Sequence, residues 1–286
     1  MPQTAESLLT AEEQAAFRRD GFVVAHGLLS RDEAVAIRDA FMDQNKDGPI
    51  EGMSEIKRSH ADGGDAPKGY DPSDPLFFYP RMIHPHQHPE HAVGPLAMRY
   101  MLDSRIESIL TELMGDAPLA VQTMFYFKPP GARGQDFHQD NFYLKVKPGT
   151  CMAAWIALDD CDADNGGMMC VPDTQTYDIQ CPQESDAKLY FTTEHVPIPA
   201  GKTAVLPKLR PGDVLFFNGS TVHGSGPNTS ADRFRRSLIC HYVPAGTAEL
   251  SHWYEVYDFT GRQLTHIKHN QDGGPCGTPQ AMVTPH

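Results

Sequence analysis

The chain is short of several things, and each shortage excludes something. No apolar run among its 286 residues approaches the length that spans a bilayer, so no membrane partner is expected. No basic cluster stands out, and the formal net charge is −13, which argues against nucleic acid as a partner. None of the six cysteines (Cys151, Cys161, Cys170, Cys181, Cys240, Cys276) forms a C-x-x-C pair. The opening "MPQTAESLLTAEEQAAF" has neither the basic nor the apolar region of a secretory signal. These absences lead us to expect a cytoplasmic protein with free thiols rather than disulfides.

What is present points to a large, loop-rich domain. Hydrophobic residues make up 40% of the chain, and glycine and proline contribute 24 each, enough for a sizeable core with many turns. Two capping boxes, Thr10 with Glu13 and Ser30 with Glu33, open helical stretches, and Ser104 with Glu107 suggests a third. "GFVVAHGLL" (21–29) reads as a strand between the first two. Residues 45–95 are rich in Gly, Pro, Asp and His and read as a long loop of the kind that serves as a lid. After Gly115 the pattern changes to short strands at 120–127, 136–146, 151–159, 167–174, 213–220 and 235–244. "KPGT", "DADNGG" and "RPGD" are turns between them. Helices followed by many antiparallel strands predict a mainly β fold, a double-sheet jelly roll with flanking N-terminal helices. We expect one domain over 1–286: a helical layer at about 8–115, a jelly-roll core at about 116–245 and a tail at 246–286.

The stretch "FHQDNF" (137–142) carries the chemistry. On a strand, His138 and Asp140 would project from one face and Gln139 from the other. An inward imidazole and carboxylate are costly to bury unless something pairs with them, and a divalent metal would. Two histidines and a carboxylate on one face of an octahedral ion leave three positions open, as in non-haem Fe(II) oxygenases. His223, in "VLFFNGSTVHGSGPN", is the candidate third ligand. "RFRRS" offers Arg233, Arg235 and Arg236, any of which can bind a carboxylate through its planar fork. H-x-D alone is a weak signal, since most such pairs are surface contacts. The order H-x-D, distant "HGSGPN", then Arg before an apolar strand is much more specific.

With these residues in view, the sequence resembles the phytanoyl-CoA dioxygenase family of Fe(II)/2-oxoglutarate oxygenases. The motifs are "QTMFYFKPP", "FHQD", "WIALDDCDADNGGMMCVPDT", "RPGDVLFFNGSTVHGSGPN" and "FRRSLICHY", and the similarity runs through most of the chain. The resemblance implies a double-stranded β-helix, or cupin-like, core. It implies His138, Asp140 and His223 as iron ligands and Arg235 as the clamp on the far carboxylate of 2-oxoglutarate. Ser225 resembles a hydroxyl that assists that clamp, Met124 and Trp155 match positions lining the cosubstrate pocket, and Gln139 lies within the H-Q-D triplet. Arg81 in "FFYPRMIHP" is the candidate for a further cation at the cosubstrate, and Arg233 and Arg236 remain alternatives to Arg235. Halogenases of the family replace the carboxylate ligand with a small residue; Asp140 is present here.

The implied activity is a dioxygenase (hydroxylase) that uses Fe(II), O2 and 2-oxoglutarate on an unactivated C–H bond of a small-molecule metabolite, releasing succinate and CO2. Alternatives are a hydroxylase of an acyl-CoA or carrier-bound substrate, a zinc hydrolase, and a non-catalytic jelly-roll binding protein. "HPHQHPEH", with His84, His86, His88 and His91, reads as a proline-punctuated loop rather than a second metal site. His241 reads as a satisfied sheet histidine, and Lys128, Arg133, Lys145 and Lys147 as a solvated rim or a contact for an anionic substrate.

Overall fold

The computed structural model describes residues 7–55 and 81–270. The helices are α1 (Ala11–Asp20), α2 (Arg31–Asn45), α3 (Val93–Met101), α4 (Ser104–Met114) and the single turn α5 (Asn141–Leu144). The strands in chain order are β1 (Phe22–Ala25), β2 (Arg81–Ile83), β3 (Pro118–Tyr126), β4 (Gln135–His138), β5 (Met152–Ala157), β6 (Met168–Cys170), β7 (Gln183–Glu184), β8 (Glu194–His195), β9 (Val214–Asn218), β10 (His223–Ser225) and β11 (Ser237–Pro244). The tail adds β12 (Glu249–Ser251), β13 (Val256–Tyr257), β14 (Gln263–Leu264) and β15 (Lys268–Asn270).

The first two expected capping boxes close. Thr10 and Ser30 accept from the backbones of Glu13 and Glu33, whose carboxylates return the bond. The chain leaves α1 through Gly21 at φ 84°, a left-handed conformation that lets β1 turn back at once onto β9. The third box is corrected: the N-cap is Asp103, whose carboxylate accepts from the backbone of Arg105, and Ser104 is already helical. The expected 45–95 loop is corrected in part. It contains β2, a 3-10 turn at Pro85–Gln87 and the start of α3, because Met82 and Val93 are apolar anchors buried in the core. Residues 56–80 of that loop lie outside the described residues, so the lid reading does too.

The large sheet runs β1-β9-β5-β11-β3-β13-β14, with β2 on β3, and its recorded pairings are antiparallel. A smaller antiparallel sheet, β4-β10-β6, faces it. Alternation along the strands separates two layers. Phe125, Ala154, Ile156, Phe216 and Leu238 point outward and pack under the helices with Ile37, Phe41, Ile106 and Ile109. Phe41 stacks on Phe125 with ring centroids 4.1 Å apart. Each of the Phe, Ile and Leu side chains contributes roughly 1.5–3 kcal/mol on burial. Met124, Tyr126, Trp155, Leu215, Phe217 and Ile239 point inward, towards Met168 and Cys170 of the small sheet. The fold is a jelly roll with flanking helices, and the site lies between its sheets.

Cys151, Cys161, Cys170 and Cys240 are buried free thiols, as expected. Cys181 is disulfide-bonded, which corrects the expectation for that residue. It is exposed, whereas the other four are enclosed by the sheets and cannot meet a partner. Among the described residues no helix is long and apolar enough to cross a membrane.

Candidate metal centre

β4 ends at His138, and Asp140 is not on the strand as the alternation predicted. The chain turns into αR at Asp140 (φ −61°, ψ −35°), and its carbonyl accepts from the backbones of Tyr143 and Leu144 as α5 begins. The four apolar or amide side chains of α5 are buried, and this favours the turn over further strand. His138 and Asp140 still converge, through the turn rather than the pleat. β10 lies against β4 with His223 directly opposite His138. A Cβ at Gly224 would come within 3.0–3.1 Å of the β4 backbone at Gln135, Asp136 and Phe137, so a glycine is what lets the two strands close.

One ligand atom from each of His138, Asp140 and His223 lies within 4.8 Å of the others, and all three residues are buried. Nε2 of His138 and Nε2 of His223 are each 3.4 Å from Asp140 Oδ1. The Nδ1 atoms face backbone carbonyls, that of Asp136 at 2.7 Å and that of Thr221 at 2.9 Å. With Nδ1 as donor, each Nε2 presents a lone pair to the shared point. Burial opposes ionisation of Asp140, but the imidazoles of His223, His241 and His138 around it hold its carboxyl well below the usual range. His138 is pushed down by burial and by His223; His223 is raised because Asp140 outweighs burial. A carboxylate kept ionised beside two imidazole lone pairs is a donor set suited to a ferrous ion.

A pocket joins this triad to Arg235 and is also lined by Tyr126, Gln135, Trp155, Ser225 and Ile239. The three arginines of "RFRRS" separate cleanly. Arg233 forks onto Asp162 at 2.7 and 3.0 Å, and Arg236 forks onto Asp159 at 2.7 and 2.8 Å. Arg235 is buried and donates to the Gly166 carbonyl and the Ser237 hydroxyl, with no carboxylate at ion-pair distance among the described residues. Its guanidinium lies 5.3 Å from the Trp155 ring and 6.0 Å from that of Tyr126. A buried cation of this kind, facing a pocket, awaits an anion.

Lys128 corrects the rim reading. It is buried, with Nζ 2.8 Å from Ser225 Oγ, and burial followed by the charge of Arg235 pulls its ammonium well below the ordinary value. Arg133 donates to the carbonyls of Ala187 and Tyr190. Arg81 is buried too, bonded to Glu55 at 2.6 Å and to the Tyr126 hydroxyl at 2.7 Å, while its Nη2 has no hydrogen-bond partner among the described residues. Met124 faces Ile239 across the β3–β11 ladder, its sulfur 3.9 Å from the Tyr126 hydroxyl. Gln139 turns away from the triad, donating to the Ser220 carbonyl and accepting from the Gln180 backbone. Sequence reasoning missed Tyr126, Gln135 and Ile239 as lining residues and the contact of His241 with Asp140. Inward alternation on β3 and β11 was the signal for Tyr126 and Ile239.

A family model for phytanoyl-CoA dioxygenase matches residues 17–237. The phytanoyl-CoA dioxygenase domain-containing protein 1 of Danio rerio is 26% identical over 264 residues, covering 82% of this chain and 90% of that protein. Phytanoyl-CoA dioxygenase 1 of Oryza sativa subsp. japonica is 25% identical over 174 residues, and the match spans 57% of this chain and 58% of the rice protein. Among solved structures, the non-heme alpha ketoglutarate dependent carbocyclase SnoK from nogalamycin biosynthesis superposes with a TM-score of 0.65 at 23% identity, covering 94% of this chain and 96% of that one. EctD from S. alaskensis, solved with 2-oxoglutarate and 5-hydroxyectoine, gives 0.62 at 18% identity, covering 93% and 82%. At these identities the structures speak for the fold, while the family match takes in both histidines, Asp140 and Arg235: the chain belongs to the phytanoyl-CoA dioxygenase family of Fe(II)/2-oxoglutarate-dependent oxygenases.

Proposed function

We propose that this protein hydroxylates an unactivated C–H bond of a small-molecule metabolite, consuming 2-oxoglutarate and O2 and releasing succinate and CO2. The observation that carries the reading is that one pocket holds both the His138–Asp140–His223 triad and the unneutralised Arg235.

In this reading His138 and His223 hold Fe(II) through Nε2, and Asp140 holds it through Oδ1. The bound ion, with 2-oxoglutarate and O2, supplies the oxidising power for the C–H bond. Arg235 grips the far carboxylate of the keto acid, and its planar fork sets the acid's direction towards the triad. Ser225 adds a hydroxyl donor. Its Oγ accepts from Lys128 at 2.8 Å and from the Gln135 backbone at 3.4 Å, so its own proton is left for the pocket. Arg81, paired with Glu55, acts on that end only through the Tyr126 hydroxyl, whose residue lines the pocket. Trp155 and Ile239 wall the keto acid from water, Met124 backs Tyr126, and Gln139 braces the turn that presents Asp140. The intact carboxylate at position 140 supports hydroxylation over halogenation.

A free metabolite is favoured over an acyl-CoA or carrier-bound substrate. Of the four cations near the motif, Lys128 is buried behind Ser225 and Arg133 is engaged with backbone carbonyls, and Lys145 and Lys147 alone do not make a phosphate groove. A metabolite screen read as succinate formed in the presence of Fe(II) tests the proposal. A hydroxylated product supports it. A protein that neither binds 2-oxoglutarate nor forms succinate is instead a non-catalytic jelly-roll binder.

A further inference from the structure

His241 takes no direct part in binding iron or the keto acid, and its position is specific. It lies on the inward face of β11 with Ile239, which lines the pocket. Its neighbours in the ladders are Gln122 on β3 and Ala153 on β5. Alanine at 153 leaves room for the imidazole to lie over the sheet. The pairing of β11 with β3 shifts register between His241 and Tyr242, a bulge of the kind that re-aims a side chain beside a site.

The imidazole is aimed at Asp140. Nε2 of His241 is 3.0 Å from Asp140 Oδ2, and both side chains are fully buried. The two carboxylate oxygens therefore have different neighbours. Oδ1 faces Nε2 of His138 and Nε2 of His223 at 3.4 Å each, and Oδ2 faces His241. An ionised carboxylate only accepts hydrogen bonds, so His241 carries a proton on Nε2 and donates it. The backbone of Asp140 is fixed by α5, but that leaves rotation of the carboxylate about its own axis free. A donor fixed on Oδ2 removes that rotation.

We propose that His241 is a positioning residue: by donating to Oδ2 it fixes the Asp140 carboxylate so that Oδ1 alone is offered to the metal. This rests on the reading of Asp140 as a ligand. Its consequence is that Asp140 would hold a bound ion through one oxygen only. His241 is not itself a ligand in this account, because it meets the oxygen that points away from the two ligand imidazoles.

The test uses Co(II) as the probe, on the full chain without oxygen, reading the dissociation constant and the visible d–d spectrum. His241→Ala should weaken Co(II) binding by on the order of ten- to a hundredfold, the usual cost of losing such an outer partner, and alter the spectrum. His241→Gln, whose amide can still donate, should recover most of the affinity and the wild-type spectrum. Wild-type affinity and spectrum in His241→Ala overturn the proposal, as does His241→Gln, folded by circular dichroism, that is no better than His241→Ala. Asp140→Ala separates the two readings. If it retains wild-type Co(II) affinity, the ligand assignment itself fails; if it loses the metal while His241→Ala does not, only the positioning role fails.

Discussion

His223 stands directly across the β4–β10 ladder from His138, with the ring centroids 4.2 Å apart. Most of the jelly roll lies between the two residues in sequence. Their meeting is a property of the sheet register and is supported by the close approach of Gly224 to β4. The metal site is thus part of a strand pairing, and disturbing that pairing disturbs the site.

Arg235→Gln should raise the KM for 2-oxoglutarate by on the order of ten- to a hundredfold, because a charge-assisted pair contributes about 1.5–3 kcal/mol. Arg233→Gln and Arg236→Gln should leave it near wild type, since Asp162 and Asp159 already engage those side chains at the edge of the fold. Steady-state kinetics of the three variants, varying 2-oxoglutarate, checks the assignment. A large effect of Arg233→Gln instead would move the clamp.

Lys128→Met and Ser225→Ala should each weaken 2-oxoglutarate binding, and the double variant should cost less than the sum of the two. Lys128 acts through the Ser225 hydroxyl, and residues in direct contact couple. Calorimetric titration of the Fe(II)-loaded variants without oxygen measures the coupling. Strict additivity would mean that the two residues meet the keto acid independently.

The helical layer has its own test. Phe41→Ala removes a buried ring stacked on Phe125 and should cost about 3–5 kcal/mol in urea unfolding. Phe125 points away from the pocket, so the surviving folded protein should keep its affinity for 2-oxoglutarate.

Stability should also report the link between α2 and α4. Arg105 bonds the Glu33 carboxylate, and that bond, with the Ser30 cap and against burial, holds the carboxyl at about 2, below its ordinary 4.5. A depressed carboxyl stabilises the fold above its unfolded value, and the contribution is lost as pH falls from there towards 2. The stability difference between wild type and Glu33→Gln should therefore be full at pH 6 and shrink as the solution is acidified below 4.5. Urea unfolding at a series of pH values checks the sign.

Much of this protein was legible in one dimension. The capping boxes at Thr10 and Ser30 are local chemistry, and they closed as written. The strands after Gly115 showed through alternation, which also places Trp155 and Ile239 inside. The failures share a cause. Asp140 looked like a strand residue because i and i+2 share a face, but burial of Phe142, Tyr143 and Leu144 turned the chain there. Lys128 looked like rim because lysine is mostly exposed, and only the partner strands reveal that it sits beneath Ser225. His241 had no local signal, because its meaning comes from Asp140, at the turn after β4, far away in sequence. Asp103 displaced Ser104 as the cap by one residue, since an aspartate accepts from the first turn as well as a serine does.

The most direct test of the account is an anaerobic Fe(II) titration of wild type, Asp140→Ala and His223→Ala, followed by 2-oxoglutarate and read by the visible charge-transfer band that a chelated keto acid gives. The account predicts one Fe(II) per wild-type chain with the band appearing on 2-oxoglutarate addition, and neither in the two variants. Wild-type iron stoichiometry and an unchanged band in His223→Ala would contradict it.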